Sequence, residues 1–330
     1  MGQQARTRRA ATTAALLAAT MSAALAAGCT GAGGPADDGR GQSPSSRQSP
    51  SEGRDESGPT GASVLAVKLD NARAARPHTG LDAADLVYVE QVEGGLSRLM
   101  AVYASELPKA VGPVRSARES DLELLAQFER PALAFSGAQG RLMPLIDKAR
   151  LDARTPEKAA DAFYRDPDRA APHNLYLRPG ELPASAPGAD ALTTGFRYGP
   201  APAGGEPRES RTVRYPAARF TFTWSAERAG WLLSTDGAPT ETSDGERVAP
   251  ATVVVQHVKV RASAFRDFLG NNTPYTETVG SGTAEVLRDG RSYDVRWERR
   301  SATDGTGFTT ADGTPVNFAE GQVWVVFTGA

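Results

Sequence analysis

Five Asp-Gly pairs, beginning at Asp236, Asp244, Asp289, Asp304 and Asp312, punctuate the last third of the chain. Asp-Gly readily adopts the positive-φ conformations of tight hairpin turns, so these pairs mark turns between short strands. Their composition agrees: Ala218–Trp224, Trp231–Ser234, Thr252–Arg261, Gly282–Leu287, Ser292–Glu298 and Val323–Phe327 are alternating or continuously apolar and rich in β-branched and aromatic residues. Asp289-Gly290 marks the clearest hairpin. Residues 211–330 are therefore expected to form a mostly β C-terminal domain, either a twisted sheet or a partly closed barrel.

The preceding region alternates strand and helix signals. Val64–Leu69 is a short apolar strand running into Asp70-Asn71, and Leu86–Val92 and Ser97–Tyr103 flank Glu93-Gly94-Gly95-Leu96 as a second hairpin. Helices are expected over Ser116–Phe128, Gln139–Ala149 and Pro156–Tyr164, with a strand at Pro131–Phe135 between the first two. This pattern indicates an α/β (or α+β) N-terminal domain with a mixed sheet, spanning residues 63–205. Pro- and Gly-rich sequence from Pro179 to Pro207 supplies the boundary.

Residues 1–28 have the layout of an export signal: Arg6, Arg8 and Arg9, then a weakly apolar Ala-rich run. Leu25-Ala26-Ala27-Gly28-Cys29 resembles the lipobox of bacterial lipoproteins, which implies cleavage before Cys29 and a diacylglyceryl group on its thiol. Thr7-Arg8-Arg9 also faintly resembles a twin-arginine signal, which leaves the export route open. Cys29 is the only cysteine in 330 residues, so no internal disulfide can form and the fold rests on packing alone. Residues 29–62 contain Gly, Ser, Pro, Arg and Asp without an apolar run, the composition of a disordered tether. The whole chain carries 37 basic and 39 acidic side chains, and without residues 1–28 its formal charge falls from −2 to −5. That balance argues against a nucleic-acid partner.

The densest chemical signal is Val111–Phe128, VGPVRSARESDLELLAQF. Ser116 with Glu119, and Ser120 with Glu123, each match a capping box, and Leu122, Leu125 and Phe128 give an apolar stripe. Arg115 and Arg118 flank the expected first turn, where free N–H groups and partial positive charge suit an anion. Arg115, Ser116, Arg118 and Arg98 are the candidate ligand-binding residues. If Gly94-Gly95 is a two-residue turn, Gln91 faces Arg98, Glu90 faces Leu99, and Glu93 can pair diagonally with Arg98. Glu90 then lies on an apolar face, where it needs a cation or stays protonated. Arg115 and Arg118 are the nearest candidates in sequence. Glu90, Glu93 and His173 are the candidate acid–base groups of an alternative reading, a hydrolase acting on a cell-wall glycan or peptide. His78, His173 and His257 lack partners at metal-ligand spacing, and no dinucleotide or P-loop fingerprint follows a strand, so neither a metal nor a cofactor is expected.

Glu93-Gly94-Gly95-Leu96-Ser97-Arg98 and Val111-Gly112-Pro113-Val114-Arg115-Ser116-Ala117-Arg118 resemble the YerB-like lipoproteins, an uncharacterised bacterial family with paired N- and C-terminal domains. Arg76-Pro77, Gly80-Leu81, Pro172-His173-Asn174, Gly282-Thr283-Ala284 and Gly321-Gln322-Val323-Trp324 extend the resemblance over residues 62–330. Phe135-Ser136-Gly137 departs from it, since a Gly-rich turn with a small polar residue is expected there. The resemblance implies architecture and location but no activity. Together these features predict a protein on the extracytoplasmic face of the cell membrane, anchored by lipid on Cys29, with an anionic cell-wall or lipid-headgroup ligand. Cys29→Ser is expected to move the protein from the membrane fraction to the medium or to an uncleaved precursor, read by fractionation and mass spectrometry. Retention with unchanged processing would refute lipid anchoring.

Overall fold

The strands that are apolar at nearly every position lie at the centre of the sheet. Thr252–Val258 (TVVVQHV) and Val323–Gly329 (VWVVFTG) run parallel to each other, and Val323–Gly329 runs parallel to Leu86–Gln91, the first strand of the N-terminal hairpin. Continuous apolar sequence is what a parallel strand covered on both faces requires. The computed structural model describes residues 63–182, 188–267 and 270–330; the expected signal, Cys29 and the tether lie outside them. We label Leu65–Asp70 β1, Leu86–Gln91 β2, Ser97–Tyr103 β3, Ala132–Ala134 β4 and Asp152–Arg154 β5. Across the large mixed sheet the order is Gly307–Thr309, Arg291–Arg299, Gly280–Arg288, Thr252–Val258, Val323–Gly329, β2, β3, β1, β4, β5. Both halves of the chain therefore contribute to one sheet.

The two faces of this sheet are covered differently. Val67, Leu69, Val87, Val89, Leu99 and Ala101 point to one face. There they pack against a four-stranded antiparallel sheet, Ser210–Tyr215, Ala218–Ser225, Gly230–Thr235 and Ala238–Pro239, through Phe220, Phe222, Trp231 and Leu233. Tyr215 fastens the layers by donating its hydroxyl to the Phe327 carbonyl at 2.5 Å. The opposite face, with Ala66, Tyr88, Met100 and Val102, is covered by α1 (Ser120–Leu125) and α2 (Met143–Lys148). The result is a sheet–sheet–helix sandwich.

The strands expected between Ala218 and Phe327 are present, each extended or trimmed by a few residues, and the Asp289-Gly290 hairpin has φ of +50° and +70° at its two turn residues. Thr252–Arg261 is broken after Val258, beyond which Val260–Arg266 pairs with Asn272–Thr276 as a separate ribbon. The N-terminal region is less helical than the sequence suggests. Each of the two described α-helices has six residues. In place of a helix over Pro156–Tyr164 there is a 3-10 turn at Ala160–Ala162, and Phe163–Arg165 then pairs with Leu175–Leu177. Aromatic and β-forming residues there gain more from a cross-strand partner than from a short helix.

The first hairpin also differs. Its connection is three residues, Glu93-Gly94-Gly95, closed by the Val92 N–H donating to the Leu96 carbonyl at 2.8 Å. This shifts the register by one, so that Glu90 faces Arg98 and Gln91 faces Ser97. Gly94 and Gly95 have φ of +67° and +70°, and a Cβ on Gly95 would lie 2.5 Å from Pro216 Cβ, whereas one on Gly94 would meet nothing. Gly94→Ala is expected to cost about 1 kcal/mol of left-handed backbone strain, and Gly95→Ala at least about 2 kcal/mol because contact with Pro216 is added. Thermal melts of the two variants should rank in that order; equal losses would mean that the Pro216 contact yields freely.

Candidate functional site

On the helix-covered face, the apolar pattern of the first three strands breaks at one end. β1 finishes with Lys68 and Asp70 on that face, β2 with Glu90, and β3 begins there with Arg98. Four ionisable side chains are thus set side by side under the loop 113–119 and α1. The one-residue change of register is what brings Arg98 to this face beside Glu90.

Lys68 is fully buried and answers the need for a cation beside Glu90. Its Nζ lies 2.6 Å from Glu90 Oε2 and 2.5 Å from Asp121 Oδ1, joining β1, β2 and α1. Neither Arg115 nor Arg118 takes this role. Burial opposes the Lys68 charge, but Asp121 and Glu90 outweigh it and raise its pKa. One ammonium bonds both carboxyl groups but neutralises only one negative charge. Burial, with Asp121 adding to it, pushes Glu90 up to about 7 against the pull of Lys68, and Glu90 Oε1 has no hydrogen-bond partner among the described residues.

The expected capping boxes do not form. Ser116 Oγ lies 3.3 Å from Ser136 Oγ, and no side chain caps α1 at Glu119. The acidic residues of the two boxes reach the other half of the chain instead. Glu119 accepts from Ser263 Oγ at 2.5 Å, and Glu123 accepts from Thr278 N, Thr278 Oγ1 and Tyr275 Oη at 2.7 to 3.0 Å. Arg299 then donates to the Glu123 carbonyl at 2.8 Å. Asp121 Oδ2 accepts from the Arg118 N–H at 2.7 Å, which fixes the turn before the helix.

Each arginine of the run has a carboxylate. Arg118 grips Glu93 with Nε and Nη2, both at 2.8 Å, and Thr273 Oγ1 donates to the same Glu93 at 2.6 Å. Glu93 therefore pairs with Arg118 and not with Arg98. Although burial opposes it, these donors hold the Glu93 carboxyl below the ordinary range. Arg115 Nε lies 3.2 Å from Asp70 Oδ2, the oxygen that also meets His173 Nδ1 at 2.8 Å, while Asp70 Oδ1 accepts from the Ala72 N–H. Although burial opposes it, the Ala72 N–H, His173 and Arg115 hold the Asp70 carboxyl below its usual pKa.

Arg98 is the exception. It is 8% exposed, its Nη1 donates to the Ser116 carbonyl at 2.9 Å, and among the described residues it has no ion pair. Burial, then the positive charges of Arg118 and Arg115, bring its pKa down to about 9 despite Glu93 and Asp70 nearby. Beside this cluster opens a cleft of about 390 Å³ between the loop 116–119, residues 138–142 and the Val260–Arg266 ribbon, lined by Glu93, Ser116, Arg118, Gln139, Arg266 and Thr273.

The four candidate binding residues, Arg98, Arg115, Ser116 and Arg118, thus meet in one cluster. The three candidate acid–base groups do not share one environment: Lys68 holds Glu90, Arg118 holds Glu93 and Asp70 holds His173. Lys68, Asp70 and Asp121 are members that sequence reasoning passed over. A signal for Lys68 was present, since it is the one charge inside the apolar run Val64–Leu69 and shares the parity of Ala66. His78 is buried, its Nε2 2.7 Å from the Asp70 carbonyl, and burial lowers its pKa to about 4, so it is neutral. Among the described residues no three His, Cys, Asp or Glu side chains are grouped to hold a metal.

Comparison with known proteins places this two-part arrangement in a family. Residues 51–192 match the N-terminal domain, and residues 211–325 the C-terminal domain, of the family described as "Protein of unknown function (DUF3048)". The chain belongs to that family. It is 33% identical over 112 residues to "Putative lipoprotein YerB" of Bacillus subtilis, a match that spans 34% of each chain. Its fold is similar to the crystal structure of YerB protein from Bacillus subtilis, with a TM-score of 0.67 at 19% identity over 82% of this chain and 92% of that one.

Two substitutions test the Lys68 junction. Lys68→Met leaves two buried carboxyl groups without a cation and is expected to cost about 3–5 kcal/mol. In the wild type, Glu90 binds its proton more tightly folded than unfolded, so the stability it contributes is full below the ordinary glutamate pKa of 4.5 and declines as pH rises to about 7. Glu90→Gln should remove that decline. Thermal melts from pH 4 to 8 that fall equally in wild type and Glu90→Gln would show that another group is responsible.

Proposed function

We propose that the protein is exported and anchored by lipid to the outer face of the membrane, where it binds an anionic envelope ligand at Arg98, Arg115, Ser116 and Arg118. The anchoring half of this reading is supported by the sequence around Cys29 and by the lipoprotein name of its relative. No helix among the described residues is long and apolar enough to cross a membrane, which is compatible with a lipid anchor.

The observation that carries the binding half is Arg98. A buried guanidinium without a counter-ion is costly, and two further arginines beside it add to the cost. An anion from outside supplies the missing charge. Arg118 and Arg115 are already engaged by Glu93 and Asp70, so they frame the site, and Arg98 provides its unspent charge. The cleft against Ser116 and Arg118 has room for the remainder of a ligand such as a cell-wall fragment or a lipid headgroup.

Titration calorimetry of the full chain with inorganic phosphate and glycerol phosphate tests this. Saturable binding is expected, weakened at least about tenfold by Arg98→Gln, in line with the loss of one or two charge-assisted hydrogen bonds. Arg118→Gln should instead lower stability, because Glu93 loses its partner. Absence of binding, or equal binding by wild type and Arg98→Gln, would overturn the reading.

A further inference from the structure

Three sets of polar atoms around Asp70 are without partners among the described residues. Arg98 faces Asp70 across β1 and β3, and among the described residues only its Nη1 is engaged by a protein group. Arg115 contacts Asp70 through Nε, and its two Nη groups make no hydrogen bond among the described residues. His173 is bound to Asp70 through Nδ1, and its Nε2 likewise has no partner there. The His173 side chain is 21% exposed and that of Asp70 7%, so the imidazole is reachable while its carboxylate is shielded.

The hydrogen bond fixes what His173 presents. An ionised Asp70 can only accept, so Nδ1 carries the proton, and whenever the ring holds a single proton Nε2 offers a lone pair. A lone pair facing an anion repels it unless a proton lies between them. Sharing Asp70 Oδ2 with Arg115, His173 suits a water or hydroxyl poised against a bound oxyanion, with His173 as the proton acceptor and Asp70 as the residue that sets its tautomer and orientation. Arg98 and Arg115 both keep donors without a partner among the described residues, enough for an anion with several oxygens such as a phosphate.

We propose that this cluster hydrolyses a phosphate ester, an inference that rests on the anion-binding reading above. Arg98 and Arg115 hold the non-bridging oxygens. Water attacks phosphorus, forming a new P–O bond, and gives a proton to His173 Nε2. The P–O bond to the alcohol breaks, and its electron pair leaves on the alcohol oxygen, which takes the proton from the imidazolium. Neither Glu90 nor Glu93 has a part in this step.

The test uses the full chain with p-nitrophenyl phosphate and bis(p-nitrophenyl) phosphate, which distinguish a monoester from a diester, alongside calorimetry with inorganic phosphate. Wild type is expected to release nitrophenolate from one of them. His173→Gln should lower kcat about a hundredfold or more while KM changes less than about threefold, the signature of a lost proton acceptor. Asp70→Asn should also lower kcat more than KM; because Asp70 is buried and that variant can misfold, His173→Gln carries the decision. Phosphate binding without release from either ester would overturn the hydrolytic proposal and leave the anion reading standing. Absence of phosphate binding would overturn both. Release that persists in His173→Gln, or a variant that loses phosphate affinity but not turnover, would show that His173 is only a binding donor.

Discussion

The buried ammonium of Lys68, between Glu90 and Asp121, is the contact on which the geometry of the cluster depends. It joins three elements distant in sequence: β1, β2 and the first turn of α1. A fully apolar junction would pack as well, and replacing buried ion pairs by apolar groups is often neutral or stabilising. What the charges add is position. Asp121 can reach both Lys68 and the Arg118 N–H only with the turn at residues 118–121 in one place, and that turn fixes where Arg118 and Ser116 project.

A helix of six residues has no stability of its own in water. α1 persists because the C-terminal half holds it at several points: Ser263 on Glu119, Thr278 and Tyr275 on Glu123, and Arg299 on the Glu123 carbonyl. Thr273 likewise reaches Glu93 at the tip of the first hairpin. The two parts recognised by separate family models are thus joined both by a continuous sheet and by polar contacts that converge on the arginine run. The C-terminal part supplies the fastening of the cluster, while the N-terminal part supplies its charges.

Much of the β architecture could be read from the chain because its signals are local. Asp289-Gly290 between two alternating segments has one economical conformation, and Thr252–Val258 and Val323–Gly329 are too apolar to lie anywhere but the centre. The arginine run was equally visible, with Arg98, Arg115, Ser116 and Arg118 all in one cluster. What escaped the sequence was decided by contacts across long separations. Ser116-Glu119 and Ser120-Glu123 carry the pattern of capping boxes, yet Glu119 and Glu123 find partners about 150 residues away, at separations of 144 and 155. The hairpin register turned on whether Glu93 belongs to the turn, and Pro216, against which Gly95 packs, takes part in that choice. A one-residue shift then put Arg98, Met100 and Val102 on the face of Glu90 and Tyr88 in place of Leu99, Ala101 and Tyr103, as the period of a strand requires.

Charge balance connects these features. The cluster has Lys68, Arg98, Arg115 and Arg118 as cations, and Asp70, Glu90, Glu93 and Asp121 as acids. On paper they cancel. The balance holds only if Glu90 is ionised, and burial beside Asp121 raises its pKa to about 7, so near neutral pH a proton occupies it part of the time. Whenever it does, the cluster has one positive charge more than it can neutralise internally. The guanidinium without a carboxylate is Arg98, directly opposite Glu90 across β2 and β3. Arg98 is thus the cation of the cluster that has no ion pair among the described residues, and it is held by the carbonyl of Ser116, which lines the cleft. A chain selected only for stability would gain by removing Arg98 or by giving it a partner. That it does neither is the physical reason for reading the cluster as a site rather than as structural support.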